Sequence, residues 1–457
     1  MINVAVQGLG YVGCATALTI ASKLSNDKKP IFNVYGIEKK NAKSKSLIDK
    51  INSNIFPHPT SDSSVKKYLY LAKRNKNFLA SNNHKFYSKA DVIIISINFD
   101  FKNSNFEKLE ISSFKKSLLD IAKNIKENSL IIVQSTVPPG TTEKIVTPII
   151  HDYVKKRGMN KKKIFISHSF ERVMPGENYF NSITNNWRVY SGINKSSEKK
   201  CEIFLKKIVN IKKYPLTKLN CTKESEVCKL MENSYRAVNI AFIDEWMRFS
   251  DKLNLNLFEI INAIRKRPTH ANIMLPGFGV GGYCIPKDPL IAKAAAKQVL
   301  NIKNLSFPMS LNAAKINRKM PDFTFSKIMK IVKKNMIKNI LLMGVSYKNN
   351  IGDTRFSPTE RLYKKLMKKK LKVFLHDPFV KQWKEINKFI KPKLPNMKMI
   401  EMIIFLVNHD EYKNINFKDF YKKNKRIFIF DANNVLSKKQ TLIIKKLNFQ
   451  TEFIGKK

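Results

Sequence analysis

Ile2-Asn3-Val4-Ala5-Val6-Gln7-Gly8-Leu9-Gly10-Tyr11-Val12-Gly13 opens the chain, and its reading decides the fold. Six residues of strand character run into a glycine turn spaced G-x-G-x-x-G, and residues 14–24 then read as a helix. In such a unit the first glycine makes the tight turn, the second lets a diphosphate approach the backbone, and the third packs helix on strand. The helix N-terminus then faces the diphosphate. A second strand, Phe32–Ile37, ends at Glu38, whose carboxylate can bind both ribose hydroxyls of NAD and would repel a 2′-phosphate, although Lys39 and Lys40 stand beside it. Gly8, Gly10, Tyr11, Val12, Gly13 and Glu38 are therefore the expected NAD-binding residues.

Outward from this unit, short β-branched runs at residues 91–97, 129–134 and 164–168 alternate with helical stretches such as 112–126, which predicts a doubly wound parallel sheet. From residue 201 to about 319 the texture is helical, and 225–253 reads as one long helix because its apolar positions recur at three- and four-residue steps. After Pro321 a second α/β pattern begins. It has a strand at 339–344, a helix at 357–370 opening on Ser357-Pro358-Thr359-Glu360, and strands at 371–376, 400–407 and 426–430. The expected fold class is α/β, with two Rossmann-like doubly wound parallel-sheet domains, residues 1–200 and 321–457, joined by a central helical domain, 201–320.

At 457 residues and 43% hydrophobic, the chain can bury a core in each of two or three domains. Cys14, Cys201, Cys221, Cys228 and Cys284 are scattered singly without a CxxC pair, which argues for reduced thiols in a cytoplasm and against a zinc site or disulfide framework. The first residues already form a strand rather than a signal peptide, and the longest apolar runs, around 92–97 and 400–407, are far short of a membrane span. A formal charge of +50 invites a nucleic-acid reading. Yet lysine greatly outnumbers arginine and is spread over the whole chain; its densest runs, 364–370 and Lys161–Lys163, fall at a helix end and in a loop. No aromatic-interleaved basic stripe accompanies them, so the composition argues against a nucleic-acid partner. The field would still draw in small anions.

Gly277-Phe278-Gly279-Val280-Gly281-Gly282-Tyr283-Cys284-Ile285-Pro286-Lys287-Asp288 places a thiol in a glycine loop four residues before a carboxylate. Glycines let backbone amides crowd a reacting group, and a thiolate is a strong nucleophile once its pKa is lowered. Beside a dinucleotide fingerprint, Cys284 points to an oxidation that passes through a thioester; a two-electron hydroxyacid dehydrogenase would not need it. The other four cysteines lack a glycine loop and read as small packing residues. Ser135-Thr136-Val137-Pro138-Pro139-Gly140-Thr141-Thr142 follows a strand, hence lies at the carboxyl edge of the sheet, where it is either a ligand-binding segment or a stiff loop. Lys229 and Asn233, one helical turn apart, share a face that is otherwise a solvated stripe. Cys284 and Asp288 have the same spacing if a helix starts there.

These segments, with Glu171-Arg172-Val173-Met174-Pro175-Gly176, Gly344-Val345-Ser346-Tyr347-Lys348 and Asp353-Thr354-Arg355-Phe356-Ser357-Pro358, resemble in order the UDP-glucose/GDP-mannose dehydrogenase family of nucleotide-sugar 6-dehydrogenases. The resemblance implies an NAD-dependent, four-electron oxidation of a sugar C6 alcohol to a carboxylate. Under it Cys284 is the nucleophile, Lys229 and Asn233 stabilise an oxyanion, and Thr136, Glu171 and Asp288 hold and activate water. Ser135 and Thr136 also border the cofactor. Glu171, Arg172, Lys229, Asn233, Arg267, His270, Gly281 and Lys348 contact the UDP-sugar, and the long helix forms a homodimer core. An arginine that family members lend across the dimer has His270 near its place here, with Arg265 and Arg267 just upstream. The UDP-glucose branch carries a second glutamate four residues after the first. This chain has Pro175 there, and its Glu171–Gly176 segment is similar to the branch acting on UDP-N-acetylhexosamines, whose products feed surface polysaccharide.

Overall fold

Four-residue runs of aliphatic side chains buried on both faces, Val92–Ile95 and Leu130–Val133, form the middle of the first sheet, as a parallel sheet covered by helices requires. Its strands are β1 (Ile2–Gln7), β2 (Phe32–Ile37), β3 (Phe78–Ser81), β4 (Val92–Ile95), β5 (Leu130–Val133), β6 (Phe165–His168), β7 (Val189–Gly192) and β8 (Thr217–Lys218), in the order β3-β2-β1-β4-β5-β6-β7-β8. All neighbours are parallel except β6 and β7. The strand order reverses between β1 and β4, and ligands of such sheets bind beyond the carboxyl ends at that point. Gly8 ends β1 there with φ +88°, and a Cβ on it would lie 2.7 Å from the Ser96 carbonyl oxygen, so no other residue fits the turn.

The computed structural model describes residues 1–103 and 106–456. The chain divides into two units, Met1–Met231 with Leu290–Ser306, and Glu232–Pro289 with Phe307–Lys457. The second unit holds β9 (Asn339–Met343), β10 (Lys372–His376), a short antiparallel ribbon of β11 (Gln382–Trp383) and β12 (Lys388–Phe389), then β13 (Met402–Phe405), β14 (Phe428–Asp431) and β15 (Thr451–Phe453). Its five-stranded sheet runs β10-β9-β13-β14-β15, all parallel, and reverses between β9 and β13. Gly344 repeats at this reversal the part Gly8 plays in the first sheet: φ is +103°, and a Cβ would lie 2.5 Å from that of Val407. Ile340, Leu342, Ile404, Phe430 and Trp383 are fully buried in one core of this unit.

The α/β class and the two doubly wound sheets are as expected, and three local readings are corrected. β7 runs antiparallel, and β8 lies within the stretch read as helical; a two-residue strand has no period to detect. Pro321 lies inside a helix, Pro308–Lys334, instead of starting the next α/β pattern. Proline removes one helical hydrogen bond and bends a helix without having to end it. The long helix is Thr222–Lys252, one turn earlier at its start than the apolar period alone indicated. Among the described residues no helix is long and apolar enough to cross a membrane.

Candidate active site

At the first reversal point the peptide of Leu9 is gripped on both sides. Its N–H donates to Glu38 Oε1 at 2.6 Å, and its carbonyl accepts from His58 Nε2 at 2.8 Å, which fixes the proton on that nitrogen. Tyr11 stacks on His58 with ring centroids 4.6 Å apart, and its carbonyl accepts from the Tyr179 hydroxyl. The helix Tyr11–Ala21 begins at Gly10 with no side-chain cap, and a Cβ on Gly10 would meet nothing within 4 Å. Uncapped amides facing open space are what a diphosphate needs, and a Cβ on Gly13 would sit 1.8 Å from the Gly8 carbonyl oxygen. The loop therefore suits the dinucleotide its spacing predicts.

The long helix supplies the next groups of the first unit. Glu226, fully buried, accepts from Gly140 N–H at 2.5 Å, Thr142 N–H at 2.8 Å and Thr142 Oγ1 at 2.7 Å. One turn on, Lys229 Nζ donates to the Glu171 carbonyl at 2.9 Å and stands 5.3 Å from the Phe170 ring centroid. Ser225 Oγ bonds His168 Nδ1 at 2.7 Å; burial, with the Lys229 charge adding to it, pulls His168 down to about 3 and keeps it neutral. Glu171 turns its carboxylate onto the Val173 N–H, and Arg172 bonds the Trp187 carbonyl and lies over Phe170. Ser135 Oγ donates to the Ile95 and Ile97 carbonyls, while Thr136 beside it is half-buried.

In the second unit Asn233 Nδ2 donates to Asp288 Oδ2 at 2.7 Å, and Lys287 Nζ pairs with Asp288 Oδ1 at 3.0 Å, both charges fully enclosed. Lys287 lies 4.3 Å from the Tyr283 ring centroid. The helix starts at Asp288, so Cys284 is in the turn ahead of it; its carbonyl accepts the Lys287 and Asp288 amides at 3.2 and 2.8 Å. Of the five cysteines Cys284 alone is exposed, whereas Cys14 and Cys201 are buried, with thiols that burial pushes up, Cys201 to about 12. The cysteine loop lies on the segment after β9: Gly282 N–H donates to the Arg355 carbonyl at 2.8 Å, and a Cβ on Gly281 would meet the Phe356 carbonyl at 2.5 Å.

Lys348 sits in that segment, which a buried network anchors at both ends. Asp377 Oδ2 takes the Val345 and Ser346 amides at 2.8 and 2.9 Å, and His409 Nδ1 takes the Asn350 amide at 2.9 Å. His409 Nε2 therefore carries the ring proton, shared between Ser346 Oγ at 3.1 Å and Asp377 at 3.2 Å. Serine and aspartate meet the same nitrogen, so this is a structural brace and not a nucleophilic triad. Burial alone would raise Asp377, but His409 and the two amides hold its carboxyl below the ordinary carboxylate range. Arg267 and His270 stand exposed about a short 3₁₀ turn, where His270 Nδ1 bonds Thr269.

The sequence reading passed over Glu226, Lys287, His58 and the Asp377–His409 pair. Glu226 had a usable signal, since it lies three residues before Lys229 on the same helical face. Lys287 is held by its neighbours Asp288 and Tyr283 and shows itself only through its burial, whereas His58 and the Asp377–His409 pair depend on contacts distant in sequence.

Two α/β sheets, each with a glycine turn at its reversal point, and a thiol loop docked on one of them define an oxidoreductase of nucleotide-linked substrates. Family models agree: the NAD binding domain of the UDP-glucose/GDP-mannose dehydrogenase family matches residues 2–209, its central domain 223–319, and its UDP binding domain 341–438. The UDP-N-acetyl-D-mannosamine dehydrogenase of Methanocaldococcus jannaschii is 31% identical, over 95% of this chain and 93% of its own, and that of Campylobacter jejuni is 28% identical, over 90% and 93%. The structure of a UDP-D-ManNAc dehydrogenase from Pyrococcus horikoshii superposes with a TM-score of 0.82 at 25% identity, covering 99% of both chains. The chain belongs to the UDP-glucose/GDP-mannose dehydrogenase family and is an NAD-dependent UDP-sugar dehydrogenase.

Replacing Asp377 by Asn loosens the Lys348 segment and is expected to raise KM for the UDP-sugar about tenfold, roughly 1.4 kcal/mol of binding, with KM for NAD unchanged. The variant is also less stable than wild type. A carboxyl held low in the fold stabilises above its unfolded pKa of about 4 and loses that effect as pH falls through its folded value, so the stability gap closes on acidification. Equal gaps at neutral and acid pH, measured by chemical denaturation, would contradict the assignment.

Proposed function

We propose that the protein oxidises the C6 alcohol of a UDP-sugar to the carboxylate through a thioester on Cys284, with UDP-N-acetyl-mannosamine or UDP-N-acetyl-glucosamine as substrate. The observation that carries the mechanism is Cys284 itself, the one exposed thiol, in a glycine loop that runs directly into the enclosed Lys287–Asp288–Asn233 cluster. Bound NAD would accept one hydride in each of two rounds, so the sugar loses four electrons. Between the rounds the Cys284 thiolate adds to the C6 aldehyde; loss of the second hydride leaves a thioester, and water then releases the carboxylate and the thiol. Lys229 and Asn233 are cation and amide donors suited to the oxyanion, and Thr136, Glu171 and Asp288 would orient water and take the protons. Gly8 to Gly13 and Glu38 would hold NAD, bordered by Ser135 and Thr136. Arg172, Arg267, His270, Gly281 and Lys348 would contact the UDP-sugar. The domains of this reading are 1–200 for NAD, 201–320 for dimerisation and the cysteine loop, and 321–457 for the UDP-sugar.

The substrate assignment rests on the Glu171–Gly176 segment, where Pro175 fixes the backbone and leaves no carboxylate beside the sugar, giving room for a C2 acetamide. It accords with the names of the relatives above, and the product suits surface polysaccharide. The assembly read here is a homodimer: Tyr235, Phe242, Trp246 and Phe249 are exposed on the long helix at near-heptad spacing, an apolar seam for a second copy.

Incubation with NAD and a panel of UDP-sugars should give two NADH per sugar, no free aldehyde, and higher kcat/KM for a UDP-N-acetylhexosamine than for UDP-glucose. One NADH with released aldehyde sinks the thioester; a UDP-glucose preference of about tenfold, some 1.4 kcal/mol, makes UDP-glucose the substrate. Trp246→Glu should halve the mass seen by sedimentation equilibrium, and a variant of unchanged mass would remove the helix from the interface.

A further inference from the structure

Glu226 is a buried ionisable group to which the roles above give no task. Its three partners are all donors, the Gly140 and Thr142 amides and the Thr142 hydroxyl, and all lie on the segment that begins with Ser135 and Thr136. That segment leads straight into a π-helical turn, Thr142–Val146, a wide turn of the kind found at functional sites. The other charges around the contact are Glu143, Lys144 and Lys223. Glu143 takes Lys223 Nζ at 2.8 Å and the Thr222 hydroxyl at 3.2 Å, and Lys144 donates its amide to the Gly140 carbonyl at 2.8 Å. On the far side Gly140 abuts Leu300, an apolar neighbour.

A carboxylate can accept all three bonds at once. A carboxylic acid cannot, because its own O–H would point at donors, and Thr142 Oγ1 can receive that proton only by turning away its own. Burial pushes Glu226 up to about 7, opposed by the Thr142 and Gly140 hydrogen bonds and aided by Glu143, so both forms are populated in ordinary working conditions. We propose that Glu226 is a positioning residue that holds the Thr136 segment in its working geometry when ionised and releases it when protonated. This rests on the reading that Thr136 orients water and takes part in the proton transfers.

Glu226→Gln places an amide against the same donors and imitates the released state at every pH. With saturating NAD and UDP-N-acetyl-mannosamine, the ratio of wild-type to variant kcat is expected to rise from about one near pH 6 to about tenfold near pH 8.5. A ratio independent of pH overturns the proposal. Thr142→Val removes one donor to the ionised form at constant size and should move the midpoint of the wild-type profile upward; an unmoved midpoint is equally contrary, and this variant decides the matter if Glu226→Gln does not fold. A substrate-free readout separates this proposal from the assigned function. A carboxyl raised by burial stabilises the fold at low pH and loses that effect as pH rises through its folded value. The melting temperature of Glu226→Gln relative to wild type should therefore climb from about pH 4 to about pH 7 and level off above, whichever sugar is turned over, and a flat difference across that range overturns the proposal. If Thr136→Val keeps the wild-type rate while that climb is seen, the assignment of Thr136 is what fails.

Discussion

A polar side chain can be buried on a helix only where it finds a partner, because an unpaired buried charge or amide costs several kcal/mol. The helix Thr222–Lys252 buries Glu226, Lys229 and Asn233 at i, i+3 and i+7 along one face, and each is matched to a different loop. Glu226 takes the amides of Gly140 and Thr142, Lys229 the carbonyl of Glu171, and Asn233 the carboxylate of Asp288. Those loops carry the residues assigned to chemistry: Thr136, Glu171, and the Cys284–Asp288 turn. Within the first unit, Glu226 and Lys229 lie three residues apart on one helix and so hold the Gly140–Thr142 and Glu171 segments; within the second, Asn233 holds the Asp288 helix start. Loss of one partner leaves the other buried and unsatisfied, which ties the stability of the fold to the geometry of the site.

The two sheets solve a common problem in the same way. Each must bring a nucleotide to the point where its strand order reverses, and each ends the central strand there on a glycine of positive φ, Gly8 or Gly344. Around both glycines a carboxylate steadies the turn: Glu38 on the Leu9 amide in one, Asp377 on the Val345 and Ser346 amides in the other. In both sheets the acid after the neighbouring strand orients the backbone of the turn. The net charge of +50 makes the general field one that attracts anionic ligands.

Much of this was legible in the residue order. Strands β1 and β2 fall on the ranges read from the residue order, because a buried parallel strand announces itself by composition and the glycine turn fixes the end of the first. Lys229 and Asn233 were placed on one helical face by spacing alone. What escaped had no local signal. The antiparallel β7 and the two-residue β8 are set by where the sheet edge lies, Pro321 is tolerated by the long helix around it, and the brace of His409 on the Lys348 segment joins residues about sixty positions apart. Glu226 lay between these cases. Its position on the stripe was readable, but its partners, more than eighty residues earlier, were not.

The central claim is that the second pair of electrons leaves the sugar while it is bound to Cys284. Rapid acid quench of the enzyme turning over a UDP-sugar with NAD, followed by peptide mass analysis, tests it directly. The account predicts a mass increase equal to the uronyl acyl group on the peptide containing Cys284, dependent on NAD and absent from the peptides of Cys14, Cys201, Cys221 and Cys228. Turnover with no adduct on Cys284 in wild type, together with undiminished rate in Cys284→Ser, would contradict it.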